Sequence, residues 1–480
     1  MSSSDSGFMA GKINFKAIIN KVSKYVWQIP KPKKKLSLTE RFVWSGVALV
    51  IYLIMGQIPL YGAPTSVFDP FAFARVIFAS QQGTLVELGI GPIVTAGLLM
   101  QLLRGSEIIK LDFKNTDDRA LFTSATKIVT IVVIVVEGAL YGSAVYQVPA
   151  NISAVIISQL IAASIVVMML DELVQKGWGL GSGISLFILA GVSQQILWSV
   201  FSPLPAGDGF SIGVIPYIIE QFSSGAANFM DIMFRTGGLP SLFLIALTGG
   251  VILLLVYVEG IRIEIPIVSS RYRGFTATYP IKLMYTSVIP VIFATALTAN
   301  AIFLSQMFWA NYNPNNESTF FNIIAQFNPT DPQTPIGGLV YYLVPPRGLE
   351  LAAVDPLRAV MYIVIITAIV IVFGRLWVEL GGLSAKAAAK NLLDSNVQIP
   401  GFRRAELSVV QLLDRYIPSV TILGALFIGL LAGFSDVLGL IGTGTGILLM
   451  VSILHNYYNI LVKEHVETLM PRLGALLGRK

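Results

Sequence analysis

The 480-residue sequence contains no cysteine and only two histidines, His455 and His465. The missing cysteines exclude disulfide bonds, thiol nucleophiles and thiolate metal sites, and two histidines are too few for a multi-histidine metal centre. Charged residues make up only 12% of the chain, whereas soluble domains carry about 25%. With a hydrophobic content of 54%, this composition excludes an ordinary soluble enzyme and a disordered protein, and predicts an integral membrane protein.

Sequence motifs of nucleotide binding and metalloprotease chemistry are missing as well. The patterns GxGxxG, GxxxxGK[ST] and HExxH do not occur, so neither activity has support. The segment GFSIG at 209–213 matches the hydrolase pattern GxSxG. That pattern requires a strand-to-helix turn, whereas this copy falls in a loop between helices, and we interpret it as coincidental. We expect no catalytic residue, no cofactor and no metal.

Ten stretches are long and apolar enough to cross a bilayer as helices, which takes about 20 residues each. They cover residues 42–59, 86–103, 126–146, 153–170, 184–200, 240–258, 283–304, 357–378, 417–434 and 437–461. The fold class is therefore all-α and polytopic. This division predicts an N-terminal tail (1–41), a first half (42–200), an outer loop (201–239), a second half (240–462) and a C-terminal tail (463–480). Helical spacing of apolar residues in 12–29 predicts an amphipathic helix in the N-terminal tail, on the membrane interface or on the protein's own surface.

The basic residues predict the orientation. If the N-terminus is cytosolic, only four of the 33 Lys and Arg residues fall on the outer side, namely Arg75, Arg235, Arg347 and Arg358. The excess of positive charge on cytosolic segments is the usual pattern in membrane proteins. It predicts that both termini are cytosolic.

Two pairs of similar segments indicate an internal repeat. Span five opens with LGSGISLFIL and span ten with IGTGTGILLM, while GPIVTAG in span two matches IPVIFAT in span seven. Pairing two with seven and five with ten divides the chain into halves of five spans. Because five is odd, the halves would have opposite orientations, with the functional path between them.

Two features within the membrane region point to function. Glu137 lies deep in an apolar run, where a charge is costly and marks a functional site or a hydrogen bond between helices; its candidate partners are Thr95 and Asn300. The segment 69–82 is apolar but, at about 14 residues, too short to cross the bilayer. From the residues alone it could be an interfacial helix or a re-entrant segment that folds back among the spans.

At this point the motifs resemble the SecY family of protein-conducting channels, in its archaeal branch. The resemblance runs in order from about residue 12 to about residue 473. The motifs that carry it are QIPLYG, LGIGPIVTAGLLMQLL, RALF, LDELVQKGWGLGSGISLFI, RIEIPI, YPIKLMYTSVIPVI, GFRRAE and GTGTGILLMVSI.

The resemblance implies a pore between two inverted halves, closed by a ring of aliphatic side chains and stoppered by a plug. The ring would be Ile90, Val94, Ile184, Ile188, Ile292 and Leu449. The plug would be 69–82, including Asp69, Phe71, Phe73, Arg75, Val76, Phe78 and Gln82. Branched aliphatic side chains can exclude ions by dewetting. They have no polar partners to lose when a polypeptide passes.

The resemblance also implies a lateral gate between spans two and seven, with Thr95, Glu137 and Asn300 as its polar cluster. Their hydrogen bonds would hold the seam closed until an apolar helix enters and gains burial in lipid. Arg271, Arg273, Arg403 and Arg404 lie in basic cytosolic loops and would contact the phosphates of ribosomal RNA.

The sequence therefore predicts the pore subunit of a Sec translocon in the cell membrane, which is not an enzyme. It would carry secretory polypeptides across the membrane and release transmembrane segments into lipid. The implied partners are a SecE-type gamma subunit, a small beta subunit, the ribosome with its nascent polypeptide, the signal recognition pathway and membrane lipids. The alternative is a secondary transporter with five-plus-five inverted repeats that uses Glu137 as a cation site. An intramembrane hydrolase would need a facing nucleophile and base, which the sequence does not supply.

Overall fold

The computed structural model describes residues 26–34, 36–64, 75–106, 108–109, 115–146, 148–206, 209–225, 228–235, 238–269, 276–286, 289–329, 335–394, 397–398 and 406–469. Helices occupy all ten predicted spans. We number them spans one to ten: Leu38–Met55, Gly91–Gly105, Thr116–Leu140, Ala150–Leu173, Gly183–Phe201, Leu242–Glu259, Ile289–Tyr312, Pro356–Leu380, Glu406–Val437 and Gly444–Leu469. In the described part of the chain, nine helices are long and apolar enough to cross a membrane. Span two, with 15 residues, is shorter. The predicted all-α polytopic fold is confirmed.

Local sequence signals explain where several spans begin. Before span one, the Ser37 hydroxyl accepts a hydrogen bond from the Glu40 amide, and the Glu40 carboxylate accepts one from the Ser37 amide at 2.7 Å. This reciprocal capping satisfies amides that the first helical turn leaves unpaired. Span eight begins with Pro356, and the Asp355 carboxylate before it accepts a hydrogen bond from the Arg358 amide at 3.0 Å. Proline suits a first helical position because its missing amide is not needed there.

Some helix ends differ from the predicted positions. Span two begins at Gly91 rather than at residue 86, because residues 86–90 form turns. Span nine begins at Glu406 rather than at 417 and runs through Pro418 to Val437. Span ten begins only at Gly444, after a turn that contains glycines with positive φ.

Shorter elements connect the spans. Helices lie at Val214–Ser223 and Phe229–Met233 between spans five and six, at Thr319–Ile324 and Leu349–Val354 between spans seven and eight, and at Ala385–Asp394 after span eight. Five short strands lie at β1 (Arg262–Ser269), β2 (Thr276–Lys282), β3 (Gln326–Phe327), β4 (Pro335–Gly337) and β5 (Val397–Gln398).

Strands β1 and β2 form the hairpin that the alternating sequence IRIEIPI predicts. They pair antiparallel with Ile263 opposite Ile281 and Ile265 opposite Tyr279, and β5 adds to the other edge of β1. Ile265 and Ile281 pack in one hydrophobic cluster with Val409 and Leu413 from the early part of span nine. This cluster lies on the side of the chain termini, outside the main helical core, and fixes the extended start of span nine.

The main core draws on both halves of the chain. One large hydrophobic cluster contains buried residues from every span except span three, including Tyr52, Val94, Ile188, Ala299 and Leu449. Between the halves, span two packs against span seven and span five against span ten. These are the two pairs that the internal sequence similarity matches with each other.

Candidate functional site

The six predicted ring residues share the main hydrophobic cluster. Ile90, Val94, Ile188 and Leu449 are buried in it, and Ile184 and Ile292 are half-buried and pack against it. Five of them come from spans two, five, seven and ten, and Ile90 directly precedes span two, so both halves contribute. The structure places all six in one apolar cluster, and their role as a pore ring stays a prediction.

The described part of the predicted plug, residues 75–82, lies among spans one, two, five and ten. The Tyr52 hydroxyl of span one donates a hydrogen bond to the carbonyl of Ala79. The Ile90 amide, just before span two, donates to the carbonyl of Phe78 at 2.9 Å. Residues 77–79 are buried, which agrees with the re-entrant alternative for this segment. Asp69, Phe71 and Phe73 lie outside the described residues.

Two glycines let the segment approach spans five and ten closely. A Cβ placed on Gly191 of span five would lie 3.4 Å from the Cβ of Ala79. A Cβ on Gly446 of span ten would lie 2.9 Å from a methyl carbon of Val76, closer than real side chains approach. Gln82, at the end of the predicted plug, is exposed.

The turn into span two depends on Gly89. Its φ of +53° lies in the left-handed region that favours glycine. A Cβ at this position would lie 2.2 Å from the carbonyl oxygen of Phe78. The contact between the plug segment and the start of span two therefore requires a residue without a side chain.

A buried ion pair ties the plug segment to the wall around it. One guanidinium nitrogen of Arg75, Nη2, lies 2.6 Å from Glu87 Oε1 and 3.2 Å from the hydroxyl of Tyr141, which directly follows span three. The Tyr146 hydroxyl donates to the other Glu87 oxygen at 3.0 Å, and the Gly83 amide donates to that oxygen too. Glu87 thus has partners from three directions, as a buried charge requires.

Sequence reasoning missed Glu87, Tyr141 and Tyr146 as parts of this site. The available signal was a pair of opposite charges, Arg75 and Glu87, each of which lies within an apolar run. The segment between them is too short to cross the bilayer. Charges in such surroundings usually pair with each other. That rule could have joined the two residues before the path of the chain was known.

The three predicted gate residues do meet. The Asn300 side-chain amide of span seven donates a hydrogen bond to the Thr95 hydroxyl of span two at 3.1 Å. Thr95 in turn shares a side-chain hydrogen bond with Glu137 of span three. All three line one small cavity together with Phe78 and Glu87. A chain of hydrogen bonds therefore crosses the seam between spans two and seven, next to the plug segment.

Two aspartates mark equivalent positions in the two halves. Asp171, near the end of span four, accepts a hydrogen bond from the Ile184 amide at the start of span five at 2.9 Å. Asp436, at the end of span nine, accepts one from the Gly444 amide at the start of span ten at 2.8 Å. By chain order, the first cap lies on the side of the termini and the second on the opposite side. An inverted repeat requires this placement.

Two further expectations concern metal ligands and the serine of the GFSIG segment. Among the described residues, no group of three or more His, Cys, Asp or Glu residues could hold a metal ion. In the GFSIG segment, the Ser211 hydroxyl donates to the Glu220 carboxylate at 2.5 Å and the Ser211 amide donates to it at 2.7 Å. Ser211 therefore has a local structural partner. The four predicted ribosome-contact residues, Arg271, Arg273, Arg403 and Arg404, lie outside the described residues.

Comparison with known proteins agrees with this geometry. A sequence model of the SecY family matches residues 84–458, and a model described as the plug domain of Sec61p matches residues 50–83. The protein translocase subunit SecY of Pyrococcus furiosus is 39% identical, over 96% of this chain and 99% of its own length. The subunit from Pyrococcus horikoshii is also 39% identical, over 96% of this chain and 98% of its own.

Solved structures give the same result. The structure described as a protein conducting channel superposes with a TM-score of 0.80 at 36% identity, over 94% of this chain and 98% of its own. Sec61 in a canine ribosome-channel complex from the endoplasmic reticulum superposes with a TM-score of 0.78 at 35% identity and the same coverage. With a family match over most of its length and relatives this similar from end to end, the chain belongs to the SecY family.

Proposed function

We propose that the chain forms the pore of a Sec translocon, which conducts unfolded secretory polypeptides across a membrane and releases apolar segments sideways into lipid. The observation that carries this proposal is the position of residues 75–82 among spans one, two, five and ten. A short segment held there by a few polar contacts fills a path between the helices. It can leave that path without unfolding any span.

The six aliphatic residues would form the seal around a passing chain. All six lie in one hydrophobic cluster that contains residues from both halves of the chain, namely Ile90, Val94, Ile184, Ile188, Ile292 and Leu449. An apolar constriction blocks ions because water leaves it readily. Apolar side chains also make no fixed hydrogen bonds that a moving polypeptide must break.

The gate would be the seam between spans two and seven. In the closed state, side-chain hydrogen bonds link Thr95 to Asn300 and to Glu137 at this seam. Water can replace these partners when the seam parts, because exchanging one hydrogen bond for another costs little net free energy. A sufficiently apolar helix can then enter the seam and reach the lipid.

The relatives support the proposal that the ribosome is a partner. Two similar solved structures are a canine Sec61 in a ribosome-channel complex and a yeast Ssh1 complex bound to the 80S ribosome. We infer that Arg271, Arg273, Arg403 and Arg404 contact ribosomal RNA, since guanidinium groups suit phosphates. A SecE-type gamma subunit, a small beta subunit and delivery by the signal recognition pathway complete the proposal.

We infer that the chain resides in the cell membrane with both termini in the cytosol, as its basic residues predict. The first half would cover residues 42–200 and the second 240–462. We also infer that the protein is not an enzyme. The energy for transport would come from a translating ribosome or another motor.

A reversible disulfide bond between the plug segment and span five tests this function. Ala79 and Gly191 face each other with a Cβ separation of 3.4 Å, close to the roughly 3.5–4.5 Å of a disulfide. The chain has no cysteine of its own, so Ala79→Cys with Gly191→Cys creates one defined pair. Oxidation of this variant in membranes should stop translocation of a secretory precursor, and reduction should restore it.

The two single-cysteine variants are the matched controls, because each carries one substitution and can form no intramolecular bond. They should translocate equally under oxidising and reducing conditions. Full translocation by the oxidised pair, with the disulfide verified, would show that the plug segment does not block the path.

A further inference from the structure

Span two makes a second polar contact between the two halves of the chain, at its end on the side of the chain termini. There Arg104, in the last turn of span two, donates a hydrogen bond from Nη1 to the carbonyl of Leu380, the last residue of span eight, at 2.8 Å. Span two belongs to the first half and span eight to the second. The Thr95–Asn300 hydrogen bond joins the halves earlier in span two, so polar contacts hold them together at two levels.

The end of span eight suits a positively charged donor. The last carbonyls of a helix have no partner within the helix, and the helix dipole makes this end negative. The Gly381 amide, just after span eight, donates to the carbonyl of Trp377 at 2.7 Å, whereas the Leu380 carbonyl accepts from Arg104. The guanidinium therefore supplies a hydrogen bond and a favourable charge at the same point.

A glycine brings the two helix ends close enough for this contact. A Cβ placed on Gly105, the residue after Arg104, would lie 3.0 Å from one methyl carbon of Leu380 and 3.2 Å from the other. Most side chains do not approach each other so closely. Because Gly105 has no side chain, the backbone of span two can lie directly against span eight, which leaves the Leu380 carbonyl within reach of the guanidinium.

Between the two polar contacts, the packing of span two against spans seven and eight is incomplete. Leu98, Gln101 and Leu102 lie on one face of span two, and they line a small cavity together with Phe293 of span seven and Trp377 of span eight. The Oε1 atom of Gln101 is buried and has no hydrogen-bond partner within the described part of the chain. A cavity and an unpaired buried acceptor both weaken an interface. The polar contacts at its two ends therefore matter more for keeping it closed.

We propose that Arg104 is a positioning residue that keeps this end of the lateral gate closed, and that its bond to Leu380 sets how apolar a segment must be to part spans two and eight. This inference rests on the proposed function, in which apolar segments leave through the gate. A segment that enters here must first separate the guanidinium from the carbonyl. The burial of its apolar side chains has to offset that loss, so a weakly apolar signal is rejected where a strongly apolar one is accepted.

Distances between two spin labels test the closing role without any translocation. In the cysteine-free full chain, reconstituted in phospholipid vesicles, Ser106→Cys and Glu379→Cys place one exposed label on each side of the contact. Glu379→Cys with Ser419→Cys is the control pair, because spans eight and nine pack together within the second half. In Arg104→Met, the ratio of parted to closed molecules should rise about tenfold for the first pair and stay unchanged for the control pair. Arg104→Lys keeps a charged donor and should stay close to the parent.

Translocation of precursors whose signals differ in hydrophobicity tests the selectivity. Arg104→Met should accept weakly apolar signals several times better than the parent and strongly apolar signals equally well. Arg375→Met removes the same charge from an exposed position on span eight and should change neither.

Unchanged label distances in Arg104→Met would overturn the proposal. Longer distances with an unchanged preference among signals would show a merely structural contact and would also overturn it. If the parent translocates no precursor at all, the proposed function fails and the selectivity with it, whereas the distances still decide whether Arg104 keeps spans two and eight together.

Discussion

Arg75 Nη2 and Glu87 Oε1 lie 2.6 Å apart, and the Glu87 side chain has no exposed surface. Arg75 belongs to the plug segment and Glu87 to the turn that leads into span two, so the pair joins the segment that we propose to move on opening to a turn that we propose to stay in place. Removing one partner of a buried ion pair leaves an uncompensated charge and costs about 3–5 kcal/mol. The pair should therefore set how firmly the channel is closed.

The first prediction concerns this pair. Arg75→Met should open the closed channel and raise ion efflux from proteoliposomes, because Glu87 loses its counter-charge. If the closed state loses about 3 kcal/mol, the ratio of closed to open channels falls more than a hundredfold. The double variant with Glu87→Gln, which buries no net charge, should leak less than Arg75→Met alone. Unchanged ion efflux from the Arg75→Met variant would show that the Arg75–Glu87 pair does not hold the channel closed.

The second prediction concerns the turn into span two. In Gly89→Ala, the new methyl group meets the Phe78 carbonyl, which a Cβ would approach to 2.2 Å, and the left-handed φ adds strain. We expect displacement of the plug segment and increased ion efflux. Gly97→Ala is the control, because Gly97 lies in span two with nothing within 4 Å of its Cβ position. Equal efflux from the two variants would show that the turn does not hold the plug segment.

The third prediction separates a channel from a secondary transporter. The Glu137→Gln side chain keeps an oxygen that can accept a hydrogen bond from Thr95. Polypeptide translocation should then stay within about threefold of the parent, since hydrogen bonds in membranes average about 0.6 kcal/mol. A transporter that uses Glu137 as a cation site would lose its transport instead. Similarity to SecY relatives over nearly the whole chain favours the channel, and a precursor translocation assay measures the difference.

The fourth prediction concerns the cap of span ten. Asp436 accepts hydrogen bonds from the Gly444 amide, the Tyr362 hydroxyl and the Thr445 hydroxyl. Asp436→Ala leaves these buried donors unpaired and should lower stability by about 1–3 kcal/mol, seen as a lower thermal unfolding temperature in detergent. Asp436→Asn keeps an acceptor and should lose less. If both variants unfold at the parent temperature, the cap does not stabilise the second half.

The sequence predicted the helices better than their ends. Length and hydropathy suffice to find a span, because the bilayer demands a long apolar run. They do not find the first part of span nine, whose mixed sequence is buried by Val409 and Leu413 against the β1–β2 hairpin rather than by lipid. Nor do they find the start of span two, because the turn at Gly89 depends on contact with Phe78.

The site could be predicted only in part from the residues themselves. Glu137, Thr95 and Asn300 stand out as polar residues in apolar runs, and they do meet. The six ring residues could be chosen only by resemblance, since Ile and Val are common throughout the chain. The pairing of charges in apolar runs could have joined Arg75 to Glu87, but the tyrosines that contact them, Tyr141 and Tyr146, depend on how the chain folds back between spans one and two.

If the chain forms the pore, a translocating polypeptide must pass through the aliphatic ring. The most direct test places one cysteine at Ile292 in the cysteine-free chain and stalls a ribosome-bound secretory polypeptide that carries one cysteine midway. We expect a disulfide between them, and none with the control Val364→Cys, because the Val364 side chain is exposed on span eight. If targeting is verified and no disulfide forms from Ile292 or from any of the other five ring positions, the polypeptide does not pass through this ring and the account is contradicted.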